Sequence, residues 1–249
     1  MILAAFLEGL FWSLLLIANS PAKTEMLQSG EVQPKPKHLL WEQVLTKYVD
    51  ENGNVNYKGL ASEPGPLLEY LDHMSENPPA PTWNRADSLA YYINLYNAAT
   101  VKLIIDNYPV KSIKDIKNPW LKKRVLIGDK KVSLAHIEYK ILRKMDEPRI
   151  HFAINCASFS CPKLINTAFK TDEIEEQLAS VTQEFIADTT RNKISSNRLE
   201  LSKIFQWYKG DFKSSGGLRI FINDNSPVDI DKDAEIIFLK YDWSLNEAR

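Results

Sequence analysis

Residues 88–108 read SLAYYINLYNAATVKLIIDNY, in which Leu89, Tyr92, Ile93, Tyr96, Thr100, Leu103 and Ile104 recur at steps of three and four. Leu95, Val101 and Ile105 fall on the other faces, so the pattern predicts a helix that is apolar nearly all round and therefore central. Asn94 and Asn97, three residues apart, must then be at least partly buried. Buried amides require hydrogen bonds. Two readings follow for the pair: they bond nearby backbone, or they bind or support a ligand.

Shorter elements surround this helix. Residues 41–48 and 66–74 read as helices, the second with Pro66 in its first turn, and Asn52-Gly53 marks a turn between them. Asp50, Asn52 and Asn54 suggest a calcium loop, but Val55 replaces the required Gly and Ala61 the required Glu. Residues 124–132 read as a hairpin turning at Gly128-Asp129, after which Ser133 caps a helix running to about Met145. Residues 149–156 alternate as a strand would, and 236–243 form another apolar strand pattern. Helices outnumber strands, and the strands are too few for a doubly wound sheet. The fold class expected is α+β: a single, predominantly helical domain with a small sheet packed on the central helix.

Composition narrows the function. Thirty-one basic side chains against 32 acidic give a net charge of -1, which excludes the basic footprint of a nucleic-acid binder. Ten Tyr, ten Phe and six Trp exclude a disordered chain. Residues 10–18 (LFWSLLLIA) are too short to cross a bilayer and precede Ser20-Pro21-Ala22, so residues 1–22 read as a secretory signal, although Glu8 stands where positive charge is usual. Residues 23–37 read as a flexible tether and 38–249 as the domain. The expected location is extracytoplasmic, periplasmic or secreted, with no stable membrane insertion after signal removal.

The chemistry concentrates between residues 133 and 162. On a regular helix Leu134, Ile137, Ile141, Leu142 and Met145 share one stripe, and Glu138 falls near its centre. A carboxylate there costs several kcal/mol unless it is paired. On the adjoining strand His151 faces away from Ile150 and Phe152, and Glu138 is expected to meet it and hold the imidazole in one tautomer. The alternative is a structural pin between helix and strand. Cys156 and Cys161, the two cysteines of the chain, follow in CASFSCP. In an oxidising compartment they are expected to form a disulfide; the sharper reading makes Cys156 a nucleophile with His151 as base, against which five extended residues of roughly 16 Å separate them. A metal site built from Glu138, His151 and the thiols is the third alternative.

These residues carry a resemblance. Gly53-Asn54-Val55-Asn56-Tyr57, Tyr92-Ile93-Asn94-Leu95-Tyr96-Asn97-Ala98, Glu138, Arg149-Ile150-His151-Phe152-Ala153, Cys156-Ala157-Ser158 and Cys161-Pro162 recur in one family, as do Trp207-Tyr208, Asp211-Phe212 and the ending Tyr241-Asp242-Trp243-Ser244-Leu245-Asn246. From Trp41 to Asn246 the chain resembles the proteins catalogued as domain of unknown function 547. Asn56 stands where that pattern has Asp, Tyr139 where a His often follows the Glu, and Ser160 where Gly is usual. The resemblance implies a domain boundary and no particular reaction.

Two classes of function stand on this reading. One is a hydrolase or acyl-transfer enzyme in which His151 is the acid or base, Glu138 orients it, Asn94, Asn97 or Ser158 binds, and Cys156 or a water attacks. The other is a binding or interaction domain whose polar pair is structural and whose cysteines are joined. Trp207, Asp211 and Asp242 stand as core residues or as the lining of a cleft. No cofactor is expected, and the partner is an unidentified small molecule or peptide.

Overall fold

The computed structural model describes residues 35–248; the signal and most of the tether read from the sequence lie outside the described residues. Helix α1 (Leu39–Tyr48) is followed by a turn in which Asp50 accepts hydrogen bonds from the backbone of Asn52 and Asn54, so its carboxylate shapes the chain. Gly53 takes φ of 77° there, and a Cβ on it would stand 2.7 Å from the Cβ of Lys163; both demand glycine. Asn56, one of the departures from the family pattern, caps α2 (Tyr57–Ser62) by accepting from the N–H of Gly59 at 2.8 Å, a task Asp would do equally well.

Helices α3 (Gly65–Glu76) and α4 (Arg85–Ile105) come next. The long helix starts three residues before the predicted point because Asn84 and Asp87 form a reciprocal capping box. As expected it is central: Leu89, Tyr91, Ile93, Leu95, Ala98 and Ile104 are all fully buried, and α2, α3 and α7 (Ile174–Ala187) pack around it. Asn94 and Asn97 prove to be backbone clamps. Asn94 donates to the Phe169 carbonyl at 2.7 Å and accepts from its N–H at 3.0 Å; Asn97 donates to the Ala153 carbonyl at 2.9 Å and accepts from the Asn155 N–H at 2.8 Å. Asn94→Ala should therefore strand two buried backbone groups and lower stability by about 3 kcal/mol, seen as a drop in urea midpoint at unchanged slope.

The hairpin β1 (Val125–Ile127) and β2 (Lys130–Val132) turns at Gly128 as predicted and lies against α3. Ser133 then caps the next helix, accepting from the His136 N–H. That helix is not regular: α5 (Leu134–His136) passes into a π turn (Ile137–Ile141) and a 3-10 turn (Leu142–Met145), and Asp146 ends it with φ of 51°.

Residues 149–156 are not a strand. Ile150–Ala153 form one helical turn, α6, with the Ile154 N–H donating to the Ile150 carbonyl. Short apolar runs do not discriminate strand from helix by period, and every residue from Ile150 to Asn155 is buried, so there is no alternation of exposure to read. His151 and Asn155, four apart, suit a helical turn as well as a strand. Beyond α7, strands β3 (Lys193–Ile194), β4 (Arg198–Leu201) and β5 (Glu235–Phe238) make a sheet in the order β3-β4-β5, antiparallel then parallel, with Leu199 opposite Ile236. Between β4 and β5 run α8 (Lys203–Trp207), a 3-10 turn (Lys209–Phe212) and α9 (Leu218–Asn225), whose Phe205, Phe212 and Phe221 surround Phe152. The fold is α+β, with helices dominant.

Candidate active site

A cavity of about 940 Å³ opens between the irregular helix after Ser133, α6, α8 and the C-terminal segment. Its wall carries Glu138, His151, Cys156 and Cys161 together with an aromatic set, Trp120, Trp207, Tyr208, Tyr241 and Trp243.

Glu138 is 5 % exposed, as the helical stripe predicts, but it does not touch His151. Its carboxylate accepts from the phenol of Tyr208 at 2.6 Å and of Tyr96 at 3.3 Å. Burial, and then the Glu138 charge beside it, push the Tyr208 phenol far up, so Tyr208 remains a donor. The imidazole meets Asp211 instead: His151 Nε2 stands 2.8 Å from Asp211 Oδ2, and the Arg143 guanidinium grips the same carboxylate at 2.6 and 2.7 Å. Burial would raise Asp211, but the bonds from His151 and Arg143 outweigh it and hold the carboxyl well below its usual range. The expected Glu138–His151 pair is thus replaced by two acids joined through two stacked rings. Tyr208 bonds Glu138 through its hydroxyl and stacks on His151 with centroids 3.8 Å apart.

This arrangement fixes the imidazole. Asp211, an ionised acceptor, selects the tautomer with hydrogen on Nε2 and leaves the Nδ1 lone pair free. Nδ1 is buried and has no partner among the described residues. Burial lowers the pKa of His151 and outweighs the Asp211 contribution that raises it, which favours the neutral ring. A neutral, oriented ring with one unpartnered nitrogen has the chemistry of a general base toward a group that reaches that buried atom.

The thiols make the second cluster. Cys156 and Cys161 are free: their Sγ atoms are 2.8 Å apart, beyond the roughly 2.05 Å of a disulfide bond, which corrects the disulfide expected from the sequence. The Cys156 N–H also donates to Cys161 Sγ at 3.0 Å. The bond to Cys161 and burial push the Cys156 thiol up; burial acts on Cys161 too, but donors from Cys156 and Tyr241 prevail and bring it down. The two sulfurs are thus hydrogen-bonded, and of the two Cys161 is the one whose ionisation its surroundings favour. Ser158 is buried behind Cys156, its Oγ 3.1 Å from that sulfur and 2.9 Å from the Tyr241 hydroxyl. The fully extended span expected between His151 and Cys156 is shortened, because the chain is helical as far as Ala153 and a helical turn advances only about 1.5 Å per residue; both side chains line the same cavity.

Of the expected site residues, then, Glu138, His151 and Cys156 meet the cavity, Ser158 supports Cys156, Asn97 clamps the backbone between His151 and Cys156, and Asn94 clamps Phe169 elsewhere. Trp207 lines the cavity and Asp211 holds its imidazole, whereas Asp242 is an exposed turn residue accepting from the Ser244 N–H. Tyr96, Arg143 and Tyr241 have site contacts that their places in apolar or surface patterns did not signal. Among the described residues no three His, Cys, Asp or Glu side chains gather as ligands of a metal ion would.

Residues 80–186 match the family described as "Protein of unknown function, DUF547". The matched stretch carries Tyr96, Glu138, His151 and both cysteines, and ends before Tyr208, Asp211 and Tyr241 complete the site. Two departures from the DUF547 pattern read from the sequence fall here: Tyr139 is half-exposed at the cavity mouth with the Arg143 guanidinium 4.7 Å from its ring centroid, and Ser160 Oγ accepts from the Asp242 N–H at 2.8 Å. Neither touches Glu138, His151 or Cys156 through a hydrogen bond. Comparison with curated proteins and with solved structures gave no match.

Proposed function

We propose that the cavity is the active site of an exported acyl-transfer enzyme of hydrolase type, with Cys156 as nucleophile and His151 as general base. One observation carries this reading: a buried imidazole held at Nε2 by Asp211, its Nδ1 unpartnered, shares a cavity wall with the more exposed thiol of a hydrogen-bonded pair. A structural pin would use both ring nitrogens.

Cys156 passes its proton to the Cys161 thiolate and attacks a carbonyl carbon; the leaving group departs with the proton now on Cys161, and an acyl thioester remains on Cys156. His151 Nδ1 then takes a proton from a water that attacks the thioester, Asp211 stabilises the imidazolium, and Cys156 leaves as thiolate and recovers that proton. Glu138 acts through Tyr208, which packs on the ring; it is a positioning residue. Export is supported by the apolar run at residues 10–18 and the small residues after it.

One mass-spectrometric experiment tests both parts. The exported chain should begin at Lys23, and brief iodoacetamide treatment of the folded protein should modify the Cys156–Cys161 pair and abolish ester hydrolysis. An unprocessed N-terminus removes the export reading, and an alkylated Cys156 with full activity removes the thiol mechanism.

A further inference from the structure

The cavity is largely apolar, Lys140 is among the described residues the one lysine or arginine in its lining, and further lysines stand on the segments that carry it. Trp207, Tyr241 and Trp243 pack with centroids 4.6 to 5.7 Å apart, and Trp120 stands edge-on to Trp243. Leu121, 72 % exposed, extends this surface to the opening. Such a lining offers area and few polar partners, which suits a hydrocarbon or aromatic group.

The surrounding sequence has the opposite character. From Lys111 to Lys144 eleven Lys and Arg stand against three Asp and Glu, in a chain whose net charge is -1. Of the three acids, Asp115 caps a turn, Asp129 sits in the hairpin turn and Glu138 is buried under two tyrosines. Lys140 lines the mouth, Lys122 and Lys123 follow directly on Leu121, and the Lys114 ammonium lies 5.1 Å from the Trp243 ring centroid. Among the described residues these four lysines are exposed and none pairs with a carboxylate. Unpaired ammonium groups around an apolar opening attract anions and repel cations.

We propose that the cavity takes an anionic amphiphile, its acyl chain among Trp120, Trp207 and Trp243 and its headgroup at Lys140, with Lys114 beside Trp243 and Lys122 and Lys123 next to Leu121 adding to the positive field. This deepens the acyl-transfer reading, since it places the hydrocarbon beside Cys156, but the binding itself does not require the thiol. A wholly polar ligand would leave the tryptophan surface uncovered, and a cationic one would meet four uncompensated charges.

The test uses three single-chain probes below their micellar concentrations, dodecyl phosphate, dodecanol and dodecyltrimethylammonium, read by tryptophan emission of the full chain in a Cys156→Ala background. Dodecyl phosphate should bind at least about tenfold tighter than the ammonium, with dodecanol between. The exposed triple variant Lys122→Glu/Lys123→Glu/Lys140→Glu should keep the dodecanol affinity and reverse the order of the charged probes. Equal affinity for the two charged probes, or an unchanged preference in the triple variant, overturns the proposal, as does binding of inorganic phosphate as tight as that of dodecyl phosphate. Sedimentation with phosphatidylglycerol vesicles but not phosphatidylcholine vesicles would mark a bilayer as the source; binding of the monomer alone would mark a soluble one, and either supports the amphiphile. Charge-selective binding with hydrolysis independent of Cys156 would sink the thiol mechanism and leave this inference standing.

Discussion

Replacing Cys156 with Ala is expected to lower kcat/KM for an activated acyl ester by roughly four orders of magnitude, because removing a nucleophile leaves only binding and polarisation. The fold should survive. The side chain is half-buried, and Ser158 and Tyr241 keep their mutual 2.9 Å bond without it, so a loss of about 1–2 kcal/mol in stability is expected. Cys161→Ala separates the two sulfurs. It removes the proton acceptor 2.8 Å from Cys156 but not the nucleophile, and should cost about 10²-fold, with part of the loss recovered at higher pH where Cys156 ionises unaided. A Cys156→Ala enzyme with near-normal turnover would mean that water attacks directly.

Asp211→Asn carries the second large effect. The side chain keeps its size but can present an N–H to Nε2, inverting the tautomer and blocking the lone pair on Nδ1, for a loss of about 10³-fold to 10⁴-fold. The pH dependence has a definite sign. Burial holds the folded pKa of His151 below 6.5, so the base is available above that value and the acid limb of kcat/KM should have its midpoint below it. Asp211 raises the ring against burial, so its removal should move the midpoint further down. Because the folded pKa is depressed relative to the unfolded one, the same ring makes the wild-type fold lose stability as pH falls through about 6.5, where the unfolded ring takes up its proton first. A variant whose limb moved upward would contradict the role given to Asp211.

The parts legible in the sequence were those fixed by local pattern. The 3.6-residue repeat of Leu89, Ile93 and Tyr96 gave the central helix, and Glu138 on an apolar stripe gave a buried acid. What the pattern could not supply were partners contributed from far along the chain. Glu138 and Tyr208 are 70 residues apart, and His151 and Asp211 are 60. No periodicity connects them. Helix α8 and the turn after it bring Tyr208 and Asp211 to the imidazole together, whereas local pattern offers Glu138 only His151 on the next element, and not the tyrosine that lies between them. The strand expected at 149–156 failed for a different reason: a buried segment of six residues carries no exposure period, and only its backbone bond from Ile154 to Ile150 reveals the helical turn.

The thiols show a further limit of composition. Two cysteines five apart invite a disulfide, yet the backbone N–H of Cys156 is aimed at Cys161 Sγ, a donor that favours a sulfur carrying charge. That detail turns a structural expectation into a chemical one.

The most direct measurement of the central claim is to trap the acyl enzyme. His151→Ala, incubated with a p-nitrophenyl ester of a medium-chain fatty acid, should lose the base for deacylation and accumulate one acyl group, located on Cys156 by peptide mass spectrometry and released by hydroxylamine. An acyl group found on another residue, or none on Cys156 while ester is still consumed, would contradict the account.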